Sequence, residues 1–111
     1  MDISDVLKAL ADPNRLRILN LLQGKTLCVC DLEATLELNQ SNLSRHLAKL
    51  KQAGLVSSQK KALYTYYSRK PLPGVYGPIV DTLCDAVSAD PAWEQDRARL
   101  AQRLKTSRGR C

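Results

Sequence analysis

The chain has 111 residues, 44% of them apolar and 25% charged, with a net charge of +6. That length suits one domain and excludes two of ordinary size. No stretch approaches the roughly 18 apolar residues of a membrane span, and the acidic start Met1-Asp2-Ile3-Ser4-Asp5 has no basic region with an apolar run behind it, which predicts a soluble, cytoplasmic protein.

Ile3, Val6, Leu7 and Leu10 recur at helical spacing and predict a first amphipathic helix over about 3–11. Asp12-Pro13 starts a second, since aspartate can cap free N–H groups and proline at the first helical position needs no N–H partner. That helix runs to about Gln23, is apolar nearly all round, and stops at Gly24, which predicts that it is buried. A third helix covers roughly Val29 to Leu36, and Glu37 to Gln40 form a polar turn in which Asn39 can cap the fourth helix. From about Ser41 to Ala53, Leu43, Leu47 and Leu50 form a stripe while Ser41, Asn42, Arg45, His46 and Lys49 project elsewhere, and Gly54 ends the helix.

Leu55 to Gln59 and Leu63 to Ser68 read as two strands joined by Lys60-Lys61-Ala62. The tip lacks the glycine or asparagine of a tight turn, so a longer or irregular loop is expected. Pro71, Pro73, Gly74 and Pro78 lead into a fifth helix over about 75–88, with Tyr76, Ile79, Val80, Leu83 and Val87 on one side. Asp90-Pro91 starts a sixth over about 91–104, and 106–111 read as a flexible basic tail. The fold class is therefore mainly α with a small β-hairpin. Its helix-turn-helix (about 29–53) is followed at once by a basic hairpin (about 55–69), the winged-helix arrangement, in one domain over 1–105. A short chain with apolar outer helices predicts a homodimer built from helices 3–11, 75–88 and 91–104.

Charge is partitioned along the chain. Residues 38–80 hold seven basic and no acidic side chains, whereas 81–96 hold five acidic and no basic ones. A solvated basic surface explains the sign but not the partition, which is the electrostatic footprint of a binder of double-stranded DNA. Candidate DNA contacts are Gln40, Ser41, Asn42, Ser44, Arg45, His46 and Lys49 on the fourth helix and Lys60 and Lys61 on the wing. Arg45 is the strongest, because a guanidinium can pair a guanine in two contacts or clamp a phosphate. Tyr64, Tyr66 and Tyr67 fit sheet packing better than base stacking. His46 is the only histidine, and there is no glycine-rich phosphate loop, no paired carboxylate site and no nucleophile with a base, so an enzyme is not expected.

Four cysteines in a chain of this kind read as thiols or metal ligands rather than a disulfide framework. Cys28 and Cys30 are a soft-ligand pair suited to thiophilic ions. Two residues apart on an α-helix are about 200° apart, so both sulfurs could reach one atom only if the helix start unwound, which would disturb the DNA-reading motif. The helix N-terminus should favour thiolate, with Asp31 opposing. The plainer alternative is a pair of small buried hydrophobes, and Cys84, among Val80, Leu83 and Val87, fits core packing best.

Ala11 to Leu19, Leu27-Cys28-Val29-Cys30-Asp31-Leu32, Gln40 to Leu47 and Gly54-Leu55-Val56 together resemble the ArsR/SmtB family of bacterial metal-responsive winged-helix repressors, over roughly residues 5–70. The cysteine-x-cysteine followed by Asp-Leu is similar to the inducer site of the arsenic-sensing branch. The resemblance implies a homodimer that binds an inverted-repeat operator without a cofactor and leaves it when arsenite or antimonite is bound. In the arsenic-sensing pattern a third cysteine follows the second by three positions, where this chain has Glu33. Cys111 is the first candidate for the missing third ligand, followed by Cys84 and then by an exogenous thiol or water. The zinc pattern of the fifth helix lacks its histidine in Asp81-Thr-Leu-Cys84-Asp85, and no cysteine precedes Cys28 as in cadmium- and lead-sensing relatives. A cadmium, lead or zinc sensor using the same pair and a thiol redox switch are the two alternatives.

Overall fold

The computed structural model describes residues 1–107, and Cys111 lies outside the described residues. Helices α1 (Ile3–Leu10), α2 (Pro13–Leu21), α3 (Val29–Leu36), α4 (Gln40–Gln52), α5 (Tyr76–Ser88) and α6 (Pro91–Ser107) surround a core of aliphatic side chains. The caps are the ones the sequence offers: Asp12 Oδ1 accepts from the Asn14 and Arg15 amides at 2.8 and 3.2 Å, and Asn39 Oδ1 accepts from the Asn42 amide at 2.8 Å. Leu43, Leu47 and Leu50 of α4 are buried with Ile18, Leu19, Leu21 and Leu22 of the second helix and its cap, which fixes the face α4 presents outward. Gly54 closes α4 at φ +82°, a conformation that suits glycine.

Three details differ from expectation. A short strand β1 (Thr26–Cys28) precedes α3, too short for alternation to reveal it. It joins β2 (Val56–Lys61) and β3 (Tyr64–Arg69) in an antiparallel sheet of order β1-β3-β2, with Cys28 opposite Tyr66. The wing tip is not a long loop, because Lys61 pairs with Tyr64 and leaves a two-residue turn in which Ala62 takes φ 55°. The sheet register imposes that strained conformation on a residue that does not prefer it. Thr106 and Ser107 continue α6 where a tail was expected, with the Thr106 hydroxyl donating to the Gln102 carbonyl at 3.1 Å.

On α5 the inward residues are Val80 and Cys84, both in the core, while Leu83 is exposed. Cys84 is thus a packing residue, and burial pushes its thiol up. α6 packs on α2, α3 and α5 and covers Trp93 and Leu100. Its anchor is a two-pronged ion pair: Arg17 Nε and Nη2 donate to Asp96 Oδ2 and Oδ1 at 2.7 and 2.8 Å. Asp96 is fully buried, so the pair is desolvated and depends on its geometry. Asp96→Ala leaves the Arg17 cation without its carboxylate and is expected to cost roughly 3–5 kcal/mol, read as a lowered urea midpoint.

Candidate functional site

Cys28 occupies two roles at once. It is the last residue of β1 and the N-cap of α3, with extended backbone at φ −79° and ψ 159°, while Cys30 is the second residue of the helix. The two sulfurs are therefore not related by helical rotation, and they converge to 2.6 Å. A helix start that must unwind to bring them together is not required, because the strand-to-helix turn at Cys28 already does it. Two sulfurs this near one another can both reach a single soft atom, with a small outward shift of one side chain to seat bonds of about 2.3 Å.

Cys28 is buried and Cys30 half-buried. Burial pushes the Cys28 thiol up, the amide hydrogen bond at the helix start lowers it, and the Asp31 carboxylate raises it again. The expected preference for thiolate at this helix N-terminus is thus outweighed by desolvation. Asp31, itself buried, reaches back to accept the Cys28 amide at 3.4 Å and accepts from Arg103 Nε of α6 at 2.9 Å. Among the described residues, no group of three or more His, Cys, Asp or Glu side chains is arranged to hold a metal ion.

The pair opens into a cleft of about 430 Å³. Gln40 and Ser44 of α4 form one wall, and Leu63, Tyr64, Thr65 and Tyr67 at the wing form another. Sequence reasoning missed this cleft, since it depends on β1 pairing with β3, and the only local hint was the short Thr26-Leu27-Cys28 run before α3.

Of the nine residues singled out for DNA, Gln40, Ser41, Ser44, Arg45 and Lys49 are exposed along α4 and Lys60 and Lys61 along the wing. The Arg45 guanidinium donates to Asn42, which is partly covered. His46 is placed differently: its side chain is 16% exposed and packs toward the start of α2, with Nδ1 3.4 Å from Arg15 Nη1 and 3.9 Å from Asp12 Oδ1. Arg15 in turn donates to the Ala9 and Lys8 carbonyls at 2.7 and 3.1 Å, closing the end of α1. His46, Arg15 and Asp12 thus tie α4, α2 and α1 together.

Residues 12–58 match the family described as bacterial regulatory protein, arsR family. The arsenic resistance transcriptional regulator of Pseudomonas putida is 38% identical over 99 residues, covering 87% of this chain and 76% of that one. The chain belongs to the ArsR family. It is a DNA-binding transcriptional regulator and not an enzyme. The arsenical resistance operon repressor of Escherichia coli is 41% identical over 76 residues, covering 67% of this chain and 65% of its own. Among solved structures, HlyU from Vibrio cholerae aligns with a TM-score of 0.66 at 33% identity, over 81% of this chain and 91% of that one. In this ArsR-family chain no described helix is long and apolar enough to cross a membrane.

Burial lowers the His46 pKa below its ordinary value, Asp12 raises it, and Arg15, Arg45 and Lys49 lower it further. The unfolded chain therefore takes up this proton at a higher pH than the folded one, and stability falls as pH drops through about 6.5. With His46 the only histidine, the urea midpoint should be lower at pH 5.5 than at 7.5, and His46→Gln should flatten that difference.

Proposed function

We propose that this ArsR-family regulator is an arsenite- and antimonite-responsive repressor, binding operator DNA as a homodimer and leaving it when Cys28 and Cys30 bond the trivalent metalloid. The observation that carries this reading is the convergence of the two sulfurs in a cleft walled by α4 and the wing. With both cysteines reduced, each thiol that bonds arsenic gives its proton to a departing hydroxide as water, so capture from that state needs no oxidant. Arsenic in the cleft presses on both elements proposed to touch DNA: on the wing through the β1–β3 ladder, and on α4 through α3 and the turn after it. The names of the Pseudomonas putida and Escherichia coli relatives support the same inducer class. Cys111 remains the proposed third ligand.

Ile3 and Leu7 on α1, with Val75 and Leu83 at α5, stand exposed, whereas Trp93 and Leu100 of α6 are already covered within the chain. We therefore assign the dimer face chiefly to α1 and α5. Two such subunits present their α4 helices to half-sites about one helical turn apart, roughly 34 Å.

The reading is tested by mobility shift on an operator selected from a random duplex pool. Cys28→Ser or Cys30→Ser should bind as the wild type and stay bound in arsenite, because hydroxyl replaces the soft ligand. Release by cadmium, lead or zinc in place of arsenite selects the metal-sensing alternative, and peroxide release that survives chelation and is reversed by reductant selects the redox switch.

Arg45→Ala should lose about 1–3 kcal/mol of operator affinity and relax specificity at one base pair. Lys60→Ala with Lys61→Ala should weaken all duplexes alike and reduce the salt slope by about one unit per lost phosphate contact. An unchanged slope removes the wing from the interface.

A further inference from the structure

α6 holds α3 at both ends. Arg99 and Arg103 sit one turn apart on α6: Arg99 pairs with Glu37 at the C-cap of α3, and Arg103 pairs with Asp31 in its first turn at 2.9 Å. The two ties differ in burial. The Glu37 side chain is 73% exposed and that of Asp31 4%, so only the Arg103 tie is desolvated enough to matter. Asp31 also accepts the amide of Cys28 at 3.4 Å, so Arg103, Asp31 and the backbone of the thiol pair form one connected chain.

We infer that Arg103 is a positioning residue for inducer capture, holding Asp31 so that Cys28 stays at the N-cap with its sulfur facing that of Cys30. This rests on the reading of Cys28 and Cys30 as the inducer site. Without the cation, the buried carboxylate turns toward water, and the Cys28 amide loses its acceptor. The first turn of α3 then samples several arrangements. The second sulfur–arsenic bond, an intramolecular step once the first has formed, loses effective concentration. The residues proposed to touch DNA lie on α4 and the wing, which are held by the core and the sheet rather than by Arg103. Inducer sensitivity and operator affinity should therefore separate.

The experiment measures arsenite-driven release from the operator and, without DNA, binding of phenylarsine oxide as a dithiol probe. Arg103→Gln should raise the arsenite needed for half-release roughly five- to twentyfold while leaving operator affinity within about twofold. Asp31→Asn should match it, and the double variant should be no worse, since both break one link. Arg103→Lys, which keeps the cation, should stay within about threefold of wild type, and Arg99→Gln should change nothing. Where Arg103→Gln does not fold, Asp31→Asn makes the same break. Wild-type arsenite sensitivity in Arg103→Gln, an equal loss of operator affinity, or failure of lysine to rescue overturns the inference. If wild type ignores arsenite on the operator yet binds phenylarsine oxide tightly, and Arg103→Gln weakens that binding, the positioning role stands and the inducer reading falls.

Discussion

The geometry of the thiol pair depends on one backbone position. Cys28 ends a strand and caps a helix, and the change from extended to helical backbone between it and Cys30 is what turns two sulfurs toward each other. Had the helix begun one turn earlier, the same two residues would face apart. The β1 strand is therefore the support of the site, small as it is. Its pairing with β3 fixes Cys28 in extended conformation, and the N-cap position lets the helix begin immediately after it.

Much of this was legible in the sequence and some could not have been. Helices α1 to α4 follow from spacing and from Asp12, Pro13 and Asn39, because caps and apolar periods are local signals. The division of α4 into a buried leucine stripe and an exposed polar face is local too. The sheet edge was not, since β1 exists only through a partner strand about forty residues away. His46 was expected among the outward residues, and its position at the α2 start is set by Asp12 and Arg15, which helical spacing on α4 cannot report. The ion pairs Arg17–Asp96 and Arg103–Asp31 join residues 79 and 72 positions apart, and the sequence shows only that α6 carries charges of both signs.

Those long-range pairs give the last helix a role that its sequence does not show. Read from the sequence, α6 is one of three helices expected to build a homodimer. In the fold it is a brace across the back of the helix-turn-helix, joined to α2 by a buried carboxylate and to α3 by a half-buried arginine. Buried ion pairs add little net stability compared with well-packed apolar residues, but they fix one arrangement, because a displaced partner leaves an unpaired charge. A brace of this kind suits the regulator proposed here, in which α3 would keep one position until a ligand moved it.

How far a ligand can move it is bounded by thermodynamics. An inducer releases DNA only by the difference between its affinities for the free and the operator-bound forms, and carrying a repressor from about 99% bound to 1% bound requires about 5.5 kcal/mol of that difference. The source of such a difference is the cleft itself. Its walls are Gln40 and Ser44 of the proposed recognition helix and Leu63, Tyr64, Thr65 and Tyr67 of the wing, with the sulfur pair between them. Any arrangement that operator DNA imposes on those walls is imposed on the space around the sulfurs. Coupling of this kind is reciprocal, so under the proposed reading the factor by which arsenite would weaken operator binding equals the factor by which the operator would weaken arsenite capture. A thiol pair elsewhere on the surface could bind arsenic as tightly and regulate nothing. Its place between the two elements proposed to touch DNA is what would give binding at sulfur a consequence at the operator.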